Sequence, residues 1–402
     1  MSIRRRLSHL RQTPQCTPAA AAGLAARIGR LRAARRSDES HGSGDRSALC
    51  RALQGVEIAD GVLLVEQRIA SGTRHGREKL GQFARCAESF PEAAGLEPED
   101  LLFLDTETTG LYGGSGTLAF MVGLARIEQD DLILRQYLLT RFAGEQALLN
   151  AVAAGVKAGD LLVTYNGKTF DLPLLAARCR MAGLADSLAS LPHLDLLHPV
   201  RRAFAGKWDD CRLASVERQL LGFQRRDDLP GAAAPAAWFD WIRRGDGSRL
   251  AQVCRHNRWD LLSLAVLLPL LAEVYRNPCL HGADPLAVAK AHRSAGREDA
   301  ALVLLLQQKP TLDQAGLTEL AGLLQRRGGR QAARSIWLAL SARGDHKAQE
   351  RLAVHFEHDL QDYRSALSYA EAISDSDEKQ RRCARLRRKL EKFNRQSDLE
   401  YG

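Results

Sequence analysis

Leu101-Leu102-Phe103-Leu104 is a run of four apolar residues that ends on Asp105, with Glu107 two positions later. A continuous apolar run of this kind marks a strand covered on both faces, as at the centre of a sheet flanked by helices. Side chains alternate along a strand, so Asp105 and Glu107 project from the same face. Two acids at the edge of an apolar element are costly unless they are neutralised. The chain must therefore build a covered sheet and bring something positive to the end of its central strand.

The surrounding pattern fits that demand. Gly61 to Ala70, Leu118 to Ile127, Leu132 to Leu139 and Leu161 to Tyr165 read as strands, with Gln129-Asp130-Asp131 as a hairpin turn. Glu145 to Val156, Leu172 to Met181, Arg212 to Leu221 and Arg249 to Val274 read as helices, and residues 77 to 97 as helix and loop. Strands followed by alternating strands and helices give an α/β fold, one mixed sheet with flanking helices. After Pro285 the strand signals stop and a 33-residue register begins. Ala300, Ala333 and Ala366 share one position, each four residues after Gly296, Gly329 and Asp362; Ala287, Leu320 and Ala353 share another. A helix, a tight turn and a helix per unit is the tetratricopeptide (TPR) pattern, so an all-α TPR-like repeat domain is expected after the sheet.

The expected organisation is a basic, disordered segment over 1–45, an extension packed on the sheet domain over 46–97, the α/β domain over 98–280, helical repeats over 283–375 and a basic tail over 376–402. Residues 1–37 hold nine arginines and no acid, and residues 380–395 hold eight Lys or Arg against one Glu391. Within a net charge of +9, basic ends suit a partner rich in phosphate. No apolar run approaches the ~18 residues of a membrane-crossing helix, so no membrane association is expected. The N-terminus lacks the apolar core of a secretory signal. The eight cysteines form no C-x-x-C pair, which fits a reducing compartment, and the protein is expected to be cytoplasmic.

Two further stretches carry acids in unusual places. Asn166-Gly-Lys168-Thr-Phe170-Asp171 joins a strand to a helix, where Asp171 is either a helix cap or a functional carboxylate. Phe170, Leu172, Leu174 and Leu175 read as core. His256-Asn-Arg-Trp-Asp260 puts an imidazole and a carboxylate one helical turn apart on one face, beside a long apolar run. Four acids converging on one site need hard divalent cations, Mg²⁺ or Mn²⁺, and His256 can take a proton from an attacking water. Two such ions serve in-line displacement at phosphorus. His193, Asp195 and His198 form a second polar group, read as structural and near a sheet edge. Gly113-Gly114-Ser115-Gly116 lacks the following Lys-Ser/Thr of a triphosphate loop and reads as a turn or a close approach to substrate.

The order Asp-x-Glu, Asn-x-x-x-Phe-Asp and His-x-x-x-Asp resembles the DEDD exonucleases of the ribonuclease H-like superfamily. With Phe103 to Thr117, Thr164 to Asp171, His193 to Pro199 and Cys211-Arg-Leu, it is similar to the bacterial YprB-like group. The resemblance implies a ribonuclease H-like sheet, Asp105, Glu107, Asp171 and Asp260 as ligands of two ions, and His256 as the general base. Thr108, Asn166 and Lys168, within or beside these stretches, are the expected substrate contacts. One departure is that the histidine stands four residues before the last Asp, where histidine-type members have five. The expected activity is 3′–5′ exonucleolytic hydrolysis of DNA or RNA; Lys168, Arg178, Arg255 and Arg258 are further candidates for holding phosphates. A structure-specific endonuclease with the same metals, or an adaptor that docks nucleic acid and binds a protein partner through its repeats, are the alternatives.

Overall fold

The computed structural model describes residues 44–81, 83, 86–90, 97–110, 116–373 and 377–400. Most of the expected 1–45 segment, and Gly113 to Ser115, lie outside them. The chain divides into two compact units. One comprises residues up to Ala87, Glu92–Leu196 and Val216–Leu268, and the other comprises Glu88–Pro91, Leu197–Ser215 and everything from Pro269 onward.

The first unit is built on a seven-stranded sheet, order β1-β2-β7-β6-β5-β8-β9. The strands are β1 (Val56–Ala59), β2 (Val62–Ile69), β5 (Leu101–Thr108), β6 (Ala119–Glu128), β7 (Asp131–Leu139), β8 (Leu161–Thr164) and β9 (His193–Asp195). A separate hairpin pairs β3 (Arg74–His75) with β4 (Glu78–Lys79); β4 falls in the 77–97 stretch that the sequence suggested as helix and loop. β5 pairs antiparallel with β6 and parallel with β8, and β8 pairs parallel with β9. The sheet is thus mixed, as expected, with β9 at one edge. Its central strands are rich in apolar residues because helices cover them; Phe103, Leu104, Phe120, Val122, Leu162 and Val163 are buried.

Helices α1 (Arg46–Leu53), α2 (Glu145–Ala154), α3 (Asp171–Ala182), α5 (Ala234–Arg244) and the first part of α6 (Leu250–Arg276) belong to this unit, while α4 (Leu197–Phe204) belongs to the other. Two indoles fasten α5 to the end of β7: Trp238 Nε1 donates to the Leu139 carbonyl at 2.6 Å and Trp241 Nε1 to the Thr140 carbonyl at 2.9 Å. α6 crosses β6 and β7 closely because β6 carries Gly123 there. A Cβ at that position would stand 2.3 Å from Asn257 Oδ1 and 2.7 Å from a Leu261 methyl. Gln136 of β7, fully buried, completes the seam by donating to Asn257 Oδ1 at 2.8 Å and to the Cys254 carbonyl at 2.7 Å.

The second unit is helical. Past α4 and the end of α6 it contains α7 (Pro285–Ser294), α8 (Glu298–Gln307), α9 (Gln314–Arg326), α10 (Arg330–Ser341), α11 (His346–His358), α12 (Tyr363–Glu371) and α13 (Asp377–Glu400). Asp284, Asp313, Asp345 and Asp362 each cap the helix that follows, accepting from its first-turn amides. Gly296, Gly328 and Gly344 adopt positive φ at helix ends. Of the residues sharing the 33-residue register, Leu320, Ala333, Ala353 and Ala366 are buried and Ala287 and Ala300 half-buried. Glu357 is held by Arg385 and Lys389, which ties α13 to α11.

Candidate active site

Asp105 and Glu107 stand on β5, and the pairing with β6 slips by one residue between Glu107 and Thr108. A bulge at that point ends the regular ladder beside the acids, a common way to aim side chains at a site. Glu107 is buried, and its Oε1 has no hydrogen-bond partner. A buried carboxylate oxygen with nothing to accept from is unfavourable. Its neighbours compound the problem. Ligand atoms of Glu107, His256 and Asp260 all lie within 4.8 Å of one another, the group among the described residues with the spacing to hold a metal ion.

Asp105 lies beside that group. Asn257 Nδ2 donates to its Oδ2 at 2.8 Å and to its carbonyl at 3.3 Å. Burial, then the charges of Asp260, Asp171 and Glu107, push the Asp105 carboxyl well above the usual carboxylate range, against the help of Asn257. Glu107 is pushed up in the same way by burial and by Asp260 and Asp228, with Arg225 opposing. Asp171 accepts from Thr106 Oγ1, so strand β5 and helix α3 meet at that carboxylate. Burial raises it to about 6, although the Thr106 bond favours the charged form.

Asp171 is the first residue of α3, not its cap. Phe170 occupies the cap position and makes no side-chain cap bond. Phe170 is 53% exposed next to the acids, and so is not the core residue the sequence suggested; Leu174 and Leu175 are buried as expected. The preceding loop is held by Asp195 of β9, which accepts from the backbone amides of Asn166 at 2.7 Å and Lys168 at 3.1 Å. This fits the structural role expected of that polar group; His193 also bonds to Thr164, at 2.8 Å, and His198 is exposed. Asn166 holds a left-handed backbone, φ 64°. Thr108 donates to the Gly110 carbonyl, and Lys168 is exposed.

The other three basic candidates already have partners. Arg178 is paired with Glu145. Arg255 donates to the Asp227 carbonyl and lies over the Trp259 ring, 5.1 Å from its centroid. Arg258 donates to Gln67 at 3.1 Å.

Sequence reasoning missed the residues that surround His256 and Asp260. A π-helical turn over Glu217–Leu221 places Glu217, buried, behind the site. The irregular loop that follows carries Arg225 and Asp228. Arg225 makes a fork with Glu217, at 2.8 Å from Nε and 2.7 Å from a terminal nitrogen, and also donates to Asp260 Oδ1. Burial works against that charge, but Glu217 and Asp260 hold it firmly on. Asp228 contacts His256 Nδ1 at 2.8 and 3.0 Å, which leaves Nε2 on the side of Asp260, 3.4 Å from its Oδ2. Glu217 was detectable in principle. It stands between Val216 and the Leu220-Leu221 pair, although Arg218 and Gln219 beside it make the stretch read as an ordinary amphipathic turn.

Comparison with known proteins agrees with this architecture. The RNase H superfamily model matches residues 102–272. The chain is 34% identical over 321 residues to "Uncharacterized protein YprB" of Bacillus subtilis (strain 168), covering 74% of this chain and 76% of that protein. Among solved structures, a family B DNA polymerase from Pyrobaculum calidifontis aligns at 14% identity with a TM-score of 0.36, over 56% of this chain and 29% of that one, a likeness too distant to bear on function. With an RNase H-type sheet carrying its acids at one end and a helical C-terminal unit, this chain belongs to the YprB family of the RNase H superfamily.

Proposed function

We propose that this protein is a metal-dependent nuclease that removes nucleotides from the 3′ end of DNA or RNA with two Mg²⁺ or Mn²⁺ ions. The observation that carries the reading is the partnerless, buried Oε1 of Glu107 within reach of Asp260 and His256. It is the acceptor a hard cation would satisfy, and oxygen-rich donor sets suit Mg²⁺ and Mn²⁺. Asp105, Glu107, Asp171 and Asp260 would hold the ions, which when bound polarise the phosphate and favour an ionised water.

The protein's own groups do the rest. Asp228 holds Nδ1 of His256, fixing the ring so that Nε2 is the basic nitrogen. Nε2 can then take a proton from the attacking water. Exposed Phe170, next to Asp171, offers a face on which a terminal base can stack. Thr108, Asn166 and Lys168, along the same rim, would contact the sugar-phosphate chain. The helical unit, read as degenerate TPR-like repeats, would bind a protein partner or guide long substrates. Eight cysteines without a C-x-x-C pair suit a reducing compartment, and the cytoplasm is the proposed location; among the described residues no helix is long and apolar enough to cross a membrane.

The test is incubation of 5′-labelled single strands and duplexes, of DNA and of RNA, with Mg²⁺ or Mn²⁺. A ladder shortening from the 3′ end supports the reading. Discrete internal cuts would make it an endonuclease, and gel shifts without cleavage an adaptor.

A further inference from the structure

Arg225 occupies a singular position. Its guanidinium carries a permanent charge and is clamped by a carboxylate that is itself 1% exposed, Glu217. Glu217 also accepts from Ser263 Oγ, which in turn lies 2.7 Å from Nε2 of buried His75. The arginine is therefore anchored from behind by a chain of buried polar groups reaching to the β3–β4 hairpin. In front, the nitrogen that bonds to Glu217 also bonds to Asp260 Oδ1, and the other terminal nitrogen lies 3.4 Å from Asp228 Oδ2.

Asp260 thus has one oxygen on a fixed cation and the other 3.4 Å from His256 Nε2. A divalent ion on Asp260 would take the same oxygens and place two positive charges within a few ångströms of a third. Like charges at such separations repel strongly in a partly buried setting.

We propose that Arg225 is a tethered competitor for metal at Asp260. It holds that carboxylate in place with its own charge, lowers the site's affinity for divalent ions, and must withdraw before Asp260 can be fully ligated. The proposal rests on the metal-binding reading of the same acids. Because Arg225 and Asp228 share one loop, withdrawal would also disturb the carboxylate that orients His256. Loading of the ion and readiness of the base are thereby coupled.

The experiment is a titration of the full-length protein with Mn²⁺, with the free ion followed by electron paramagnetic resonance and no substrate present. Arg225→Gln should bind Mn²⁺ roughly 10-fold more tightly than the natural protein, a factor ordinary for coupled sites. Asp260→Asn should bind far more weakly. Arg258→Gln removes a nearby charge that does not touch Asp260, and should change affinity much less than Arg225→Gln. If the unpaired Glu217 prevents Arg225→Gln from folding, the Arg225→Gln, Glu217→Gln double variant carries the same expectation. Unchanged or weaker binding by the arginine variant, or equal tightening in Arg258→Gln, overturns the competition while leaving the metal site standing. No Mn²⁺ binding by any of these proteins would instead remove the metal reading itself.

Discussion

Asn257 Nδ2 lies 2.8 Å from Oδ2 of Asp105, joining a helix and a strand 152 residues apart. The amide sits between His256 and Asp260 in sequence yet faces the sheet, so it sets the height at which α6 presents both groups. Replacing it with alanine removes a donor from a buried acid and an acceptor from Gln136. Asn257→Ala should lower unfolding free energy by about 1–3 kcal/mol and reduce activity further than stability alone explains. Asn257→Asp should be worse, because it sets a second carboxylate against Asp105. Urea denaturation with parallel rate measurements checks both, and an Asp variant as stable as the natural protein would contradict the repulsion described for the cluster.

Glu107 contributes to that repulsion. A carboxyl whose folded pKa is raised destabilises the fold increasingly as pH rises above the unfolded value. Glu107→Gln should therefore be more stable than the natural protein at pH 8 without added metal, and its melting temperature should no longer respond to Mn²⁺. Thermal scans with and without Mn²⁺ measure this. A variant that melts lower and still gains from Mn²⁺ would mean Glu107 is a structural acid.

His256→Ala should cut turnover by about 10²–10⁴-fold, as loss of a general base does, while Mn²⁺ affinity changes little. Asp228→Asn should lose less, because the ring remains but its orientation is no longer enforced. A parallel fall in Mn²⁺ affinity for His256→Ala would make the imidazole a ligand and not the base.

The pH dependence of stability should carry a signature from His75. Its burial, then the nearby Arg225 charge, lowers it to about 4 from 6.5. As pH falls below 6.5 the unfolded chain takes up a proton that the folded chain refuses, so stability drops until about pH 4 and is flat below it. His75→Gln should lack this loss. The difference between the two proteins between pH 7 and 4.5 should amount to roughly 2 kcal/mol, and the titration of the acid cluster cancels in the comparison. Equal pH profiles would place His75 in contact with solvent.

Much of the sheet could be read from one sequence because covered strands are continuous apolar runs: Leu101 to Leu104 and Leu161 to Val163 admit little else. The placement of Asp105 and Glu107 on one face followed from strand alternation, and that of His256 and Asp260 from helical spacing. Local periodicity says little where elements are short. The β3–β4 hairpin has two residues per strand, and β1 is mostly exposed, so neither carries a pattern. Phe170 misled because it stands just before the first turn of α3, where helical spacing does not yet govern which way a side chain faces. Arg225 and Asp228 sit on a loop, and their partners are fixed only by the path of the chain in space.

Gly123 bears on how this protein can change. Glu107, near the end of β5, can be exchanged without loosening the sheet, since its buried Oε1 holds no bond. The missing methyl beneath α6 is different. It determines how far the helix stands from the strands, and every distance between Asp105 and the His256–Asp260 pair inherits that separation. Variants that lose the acids would keep the scaffold and forfeit the chemistry, whereas one that adds a single carbon at position 123 would keep every acid and pull them out of register.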